Sequence, residues 1–492
     1  MTLGSRPAPP AHNHTSRAYF EHATAPRINT DAVLVTSLRA EYPNLHLTVV
    51  PHTSIDLFGY ARSGNAGLAA IDSEKDRLTW RRFIPPATRL EGDTGDLGTE
   101  LKFGKFLLDW HNTEYIVHIA DCRDGSGAYP NLVNQYVLSP SVATTNALLL
   151  EAGKWTSTLH AEIWVFDGGY WQKSRELYES IVKASWDDVI LDPAMKKALQ
   201  ADVDVFFASR ETYSKLKVPW KRGIIYYGPP GNGKTISVKA TMNVLYKRSP
   251  PIPTLYVRSL SSFAGPEYSI KQIFGLARRT APCYLVFEDL DSLVTPFVRS
   301  YFLNEVDGIR KNEGILMLGS TNHLDLLDPG IAKRPSRFDR KYLFNNPNAD
   351  EREQYAKFWQ HKLADNKDVD FPDRLCPAIA GITKDFSFAY IQEAMVASLL
   401  ALARESDEKN DEWCCLRCME NFAASKRAAH ETGCAKGRET SWDVSMWIIA
   451  IQRVEDGDKE LEKLALWRQI RKQVRILREE LDAGNGEAAE IS

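Results

Sequence analysis

Residues Gly228-Pro229-Pro230-Gly231-Asn232-Gly233-Lys234-Thr235 satisfy the phosphate-binding pattern G-x-x-x-x-G-K-[ST] without a mismatch. The chemistry served by this spacing is the cradling of a polyphosphate. Glycines let backbone N–H groups approach an anion closely, and a helix starting just after them adds the positive end of its dipole. Lys234 is placed to reach β- and γ-phosphates, and the Thr235 hydroxyl to coordinate Mg2+. The bland alternative is a Gly/Pro-rich turn that matches by chance. The flanks argue against it: Ile224-Ile225-Tyr226-Tyr227 is an apolar run of strand type, and Ile236 to Tyr246 holds no Gly or Pro.

Two further groups of residues carry chemistry. Tyr284-Leu285-Val286-Phe287-Glu288-Asp289 is an apolar strand ending in two acids. Beside a phosphate loop, one such acid can hold the hydration shell of Mg2+ and the other can orient an attacking water. Solvated acids at a strand end are common when such a run stands alone; the phosphate loop upstream makes that reading the weaker one. Gly319-Ser320-Thr321-Asn322 is another strand end, followed by Leu327-Asp328-Pro329 and then by Arg334-Pro335-Ser336-Arg337-Phe338-Asp339. Read alone, these two arginines are surface charges.

These loops need a scaffold, and the chain supplies an alternating one. Short apolar runs at Ile224–Tyr227, Thr254–Val257, Tyr284–Phe287, Ile315–Gly319 and Lys341–Phe344 are separated by helical stretches. That is the pattern of an α/β core with a parallel sheet buried on both faces, here spanning residues 176–345. Residues 346–482 read as helical, with Trp467, Ile470, Val474, Leu477 and Leu481 forming a stripe that suits a packing face. Residues 31–175 read as a strand-rich mixed domain. In it, Leu101–Trp110 and Tyr115–Ala120 form a hairpin, and Glu162–Phe166 is a strand. Its histidines are scattered and form no catalytic constellation, so an accessory, client-engaging role is expected. Residues 1–30 and 483–492 read as disordered tails.

Composition narrows the classes. The 492 residues carry a net charge of −3 and no basic stripe, so nucleic acid is not the expected partner. No apolar run reaches 18 residues, and no transmembrane span is expected. The first residues are rich in Pro, Ala, Ser and Thr and poor in acids, which suits a plain tail and resembles a mitochondrial transit peptide more weakly. The expected compartment is therefore cytoplasmic, with a mitochondrial location as the alternative. In neither is the cysteine set expected to form disulfides.

Taken in order, the motifs resemble those of AAA ATPases. The stretch from Arg334 to Asp339 is similar to the family's second region of homology. The run from Phe263-Ala264-Gly265 through Ala281-Pro282-Cys283 into the acid-tipped strand, and Leu303-Asn304-Glu305-Val306-Asp307-Gly308 after it, resemble the same family. The resemblance covers about Trp186 to Leu400. It implies a P-loop AAA core with a helical lid, ATP and Mg2+ as ligands, and Gly228 to Thr235 as the nucleotide loop. It further implies that Asn322 senses the γ-phosphate and that Arg334 and Arg337 act as fingers into a neighbouring subunit. Self-association into a ring follows, commonly a hexamer and alternatively a heptamer. The family usually ends its acidic strand Asp-Glu, whereas this chain has Glu288-Asp289. Glu288 then takes the Mg2+ side and Asp289 the water-activating side. The same inversion occurs in the branch containing the mitochondrial chaperone that assembles respiratory complex III, which this chain also resembles in Ile190–Phe207 and Trp220–Gly223. Phe263 occupies the place of the family's pore-loop aromatic, and two readings stand for it: a grip on a polypeptide, or a residue packing its own loop.

Residues 405–455 interrupt the lid. Cys415, Cys418, His430 and Cys434 offer three sulfurs and an imidazole at spacings compatible with tetrahedral Zn2+. The competing reading is an irregular insertion in the lid or an artefact of the gene model. The expected function is ATP-driven remodelling of an unidentified protein client, chaperone-like in character. The alternative is an assembly module that ATP gates with little or no hydrolysis.

Overall fold

The computed structural model describes residues 15–490 apart from 16–17, 19–20, 23, 27, 87–93, 123–132, 308–310, 335 and 406–459. It divides into two compact units, Met1–His160 and Ala161–Ser492.

The first unit is an antiparallel sheet with helices packed on it. In chain order it contains α1 (Thr30–Glu41), β1 (His46–Pro51), β2 (Gly67–Ala70), β3 (Leu78–Ile84), β4 (Asp96–Trp110), β5 (Thr113–Asp121), β6 (Val133–Ser139) and α2 (Val142–Ser157). The strands run β1-β6-β5-β4-β2, with β3 also paired to β4. The hairpin expected between Leu101 and Ala120 is present. Its turn is shorter than the sequence suggested, because His111 (φ 50°) and Asn112 (φ 58°) both adopt the left-handed conformation. A two-residue turn of this hand matches the twist of the flanking strands. Apolar residues alternate inward along β5, with Tyr115, Val117 and Ile119 buried against Leu57 and Leu148. Asp31 fastens α1 to the sheet by accepting from Asn134 Nδ2 at 2.9 Å and from the Tyr136 hydroxyl.

The second unit begins with β7 (Ile163–Asp167) and β8 (Tyr170–Ser174). It continues with α3 (Pro193–Ala208), β9 (Lys221–Tyr227), α4 (Lys234–Tyr246), β10 (Thr254–Val257), α5 (Pro266–Thr280), β11 (Cys283–Phe287), α6 (Arg299–Asp307), β12 (Ile315–Thr321) and β13 (Arg340–Leu343). Among the described residues these strands form a seven-stranded sheet in the order β13-β9-β12-β11-β10-β7-β8. All pairings are parallel except β7 with β8. The sequence reading placed residues 162–166 in the preceding domain; instead β7 pairs with β10, and the unit starts near residue 161 rather than 176.

Because strand side chains alternate, the sheet builds two cores. Leu255, Leu285, Phe287 and Met317 face α5 and α6. Tyr226, Tyr284, Val286 and Leu318 face α3 and α4. Phe287 is fully buried between two aromatic neighbours, Phe274 and Phe302, so truncation to Ala should cost about 3–5 kcal/mol.

The lid follows: α7 (Ala349–Lys362), α8 (Leu375–Ile382), α9 (388–405) and α10 (Ala465–Glu490). The stripe on α10 packs as expected, with Trp467, Ile470 and Val474 buried against Trp359, Ile379 and Met395. The helix runs on to Glu490, past the point where a tail was expected. No helix among the described residues is long and apolar enough to cross a membrane.

Candidate nucleotide-binding site

The phosphate loop lies where β9 gives way to α4, at the carboxyl end of a parallel strand, as open α/β sheets place their ligands. Gly233 caps α4 with φ 90°, a conformation that leaves the first N–H groups of the helix open to an anion. Gly231 (φ 77°) is required twice over, since a Cβ there would lie 2.4 Å from the Ala389 Cβ. The loop also touches the lid directly. Ala389 N–H donates to Gly231 O at 3.2 Å, and Asn232, almost fully buried, donates to Asn346 Oδ1 at 2.9 Å. That role of Asn232 carries no local sequence signal.

A cavity of about 570 Å3 opens over the loop, within the ~300–1,000 Å3 usual for small-molecule sites. Pro230, Gly231, Gly233, Lys234 and Thr235 form its floor, and Asp289, Ser320 and Asn322 one wall. The residues expected from the three motifs are thus brought together from strands β9, β11 and β12. Lys234 Nζ donates to Gly228 O at 2.6 Å and to Pro229 O at 2.9 Å. Burial pushes its pKa below the ordinary lysine value, while the Asp289 and Asp291 carboxylates oppose that shift.

The opposite wall is aromatic, and the sequence reading missed it. Tyr355, Phe358 and Trp359 of α7 and Phe388 at the start of α9 line the cavity, as do Val189 and Ile190. Tyr355 stands edge-on to Phe388 with centroids 5.0 Å apart and parallel to Phe358 at 5.9 Å. Spacings of three and four on α7 resemble any packing face, so only the tertiary fold reveals that this one borders a cavity. A Gly-rich loop and aromatic side chains lining one cavity are a combination that suits a nucleotide.

The two acids differ in setting. Asp289 reaches the cavity with φ 52°, and its N–H donates to Ser320 Oγ at 3.3 Å. The left-handed conformation is borne better by Asp than by Glu, which gives a local reason for the inverted order. Glu288 lies off the cavity wall, half-buried, with Oε2 accepting from the Tyr256 hydroxyl at 2.6 Å and Oε1 buried without a hydrogen-bond partner. An unmatched carboxylate oxygen and the Thr235 hydroxyl are hard oxygen donors of the kind Mg2+ takes.

The two arginines also differ. Arg337 is buried and bidentate to Asp307, with Nε to Oδ1 at 2.8 Å and Nη2 to Oδ2 at 2.6 Å, and Nη1 donates to Gly330 O. Its guanidinium holds the Asp307 carboxyl below its usual pKa. Arg334 is 58% exposed and only grazes Asp307 at 3.5 Å. Phe263 is fully exposed. Cys415, Cys418, His430 and Cys434 lie outside the described residues, and among the described residues no cluster of His, Cys, Asp and Glu is placed to hold a metal.

Fold and site together define a P-loop nucleotide-binding unit with a helical lid. Residues 224–346, a quarter of the chain, match the family described as ATPase family associated with various cellular activities (AAA). The chain is 29% identical over 249 residues to the ATPase family gene 2 protein of Schizosaccharomyces pombe, covering 48% of this chain and 29% of that protein. It is 29% identical over 256 residues to the peroxisomal ATPase PEX6 of Candida glabrata, covering 48% and 24%. It is 28% identical over 257 residues to protein SAV of Sulfolobus acidocaldarius, covering 49% and 32%. The chain thus spans under a third of the length of each of these relatives.

Proposed function

We propose that this protein hydrolyses ATP and uses the cycle to remodel a protein or protein complex, acting as a ring of identical subunits. The observation that carries this reading is the cavity in which Lys234, Thr235, Asp289 and Asn322 converge beneath the aromatic face of the lid. In that reading the loop N–H groups and Lys234 bind the phosphates, Asn322 and Asp289 orient the attacking water, and Asp289 accepts its proton. Thr235 and Glu288 would hold Mg2+, whose charge, when bound, offsets that of the β- and γ-phosphate oxygens. Because Gly231 and Asn232 bond directly to Ala389 and Asn346, respectively, nucleotide at the loop is coupled to the position of the lid. Fully exposed Phe263, with Phe297 79% exposed on a neighbouring loop, supports engagement of an unfolded or extended client segment. The test is steady-state phosphate release from purified protein, with Asp289→Asn as an ATP-bound trap for recovering clients. Phosphate release equal to that of Lys234→Ala would exclude hydrolysis.

A second reading, in which ATP gates assembly with little turnover, is favoured by Asp289 being one methylene shorter than the family's usual glutamate. Positioning errors near 1 Å lower rates by about 100-fold. ATP-dependent assembly without phosphate release separates this reading from the first. The Zn2+ set Cys415, Cys418, His430 and Cys434 remains a proposal on spacing. Metal analysis finding about one Zn2+ per chain supports it, and none leaves the insertion reading.

A further inference from the structure

Strands β10 and β11 run parallel with Tyr256 opposite Val286. Side chains alternate, so Tyr256, Val286 and Glu288 share one face of the sheet, the face covered by the phosphate-loop helix α4. A tyrosine ring lying along that face extends about one pleat repeat beyond its own position. Its hydroxyl therefore arrives at Glu288 rather than at Val286, donating to Oε2 at 2.6 Å. The second oxygen, Oε1, is buried with no hydrogen-bond partner among the described residues. Glutamate at this position has one more torsion than the aspartate the family usually carries, and a free terminal carboxylate would rotate about it.

We propose that Tyr256 is a positioning residue for Glu288. Its hydroxyl occupies one carboxylate oxygen, fixes the last torsion, and leaves Oε1 as the one oxygen that would be available to Mg2+ or its waters. The tyrosine thereby compensates for the extra methylene of Glu288. This inference rests on the ATP·Mg2+ reading above and adds to it a residue that no nucleotide motif contains.

The experiment is nucleotide binding by the full chain and its Tyr256→Phe variant, followed calorimetrically with ATP, once in excess EDTA and once across a Mg2+ titration. Phenylalanine keeps the ring in its apolar surroundings and removes only the hydroxyl. Metal-free ATP affinity should stay within about twofold of wild type, while the Mg2+ concentration that half-enhances binding rises about tenfold. Manganese resonance spectra of the ternary complex should broaden in the variant, as a loosened ligand oxygen implies. In a Glu288→Asp background, where the shorter carboxylate is out of the phenol's reach, adding Tyr256→Phe should change neither quantity. Equal Mg2+ dependence in wild type and Tyr256→Phe overturns the proposal. So does an identical loss from Tyr256→Phe in the Glu288→Asp background, because the ring would then act without the bond. Wild-type protein whose ATP binding ignores Mg2+ removes the nucleotide–metal reading itself, and the proposal falls with it.

Discussion

Arg337 is held in its own subunit by Asp307: two near-parallel hydrogen bonds at 2.8 and 2.6 Å join the guanidinium to the carboxylate, and a third ties it to the Gly330 carbonyl. A guanidinium so engaged is part of the fold. Arg334, three residues earlier, is largely exposed and meets the same carboxylate only at 3.5 Å.

The two arginines should therefore fail differently. Arg337→Ala removes the bidentate partner of Asp307 and should destabilise the second unit by about 2 kcal/mol, read as a lower urea midpoint. Arg334→Ala should leave that midpoint unchanged and lower ATP turnover by about 1,000-fold. Mixing Arg334→Ala with Asp289→Asn, each inactive alone, should restore turnover in rings where an intact Asp289 faces an intact Arg334. Absence of rescue in rings proven to be mixed counts against a finger acting between subunits.

Lys234→Ala removes the cationic donor from the floor of the cavity. ATP affinity should fall by about 10- to 100-fold, the worth of one hydrogen bond to a charged group. Calorimetric titration finding wild-type affinity would refute the assignment of the phosphate loop.

Gly231→Ala places a methyl group 2.4 Å from the Ala389 Cβ at a backbone angle that favours glycine. The lid should be driven off the loop. Faster hydrogen exchange at residues 388–391 and weaker nucleotide binding should appear together; a change in only one of them would show that loop and lid are not coupled through this contact.

His118 gives the first unit a pH dependence. It is buried on β5 with neither ring nitrogen hydrogen-bonded among the described residues. Burial first, and the Lys105 ammonium second, push its pKa below the ordinary value, while Glu41 and Asp72 oppose that shift. The unfolded chain thus takes up a proton that the folded unit resists. Stability is intact above about pH 6.5 and declines as the pH falls toward the depressed value, by at most about 1.4 kcal/mol per unit. Calorimetric melting from about pH 7.5 to 5.5 should show this loss, and His118→Phe should remove it.

Local signals carried the nucleotide motifs. Strand, loop and helix around Lys234 are specified within a few residues of one another, as are the hairpin at His111-Asn112 and the stripe on α10. What escaped was non-local. The run Ile163–Phe166 reads as a strand wherever it goes, and nothing in it announces parallel pairing with β10. Asp307 and Arg337 are separated by an intervening strand, so their bond is invisible to spacing. Tyr256 sits in an apolar run and reads as core, although its hydroxyl reaches a carboxylate. The aromatic wall on α7 has the periodicity of any buried helix face.

The hairpin β7–β8 has a practical consequence for anyone dissecting the chain. It closes one side of the seven-stranded sheet by pairing Trp164, Val165 and Phe166 with Leu255, Tyr256 and Val257. A fragment trimmed to begin after β8 would bare the N–H and C=O groups of β10 beside an apolar surface, a ready template for strand addition between molecules. Such a fragment should precipitate or form soluble aggregates on expression, whereas one beginning near residue 161 should stay monodisperse.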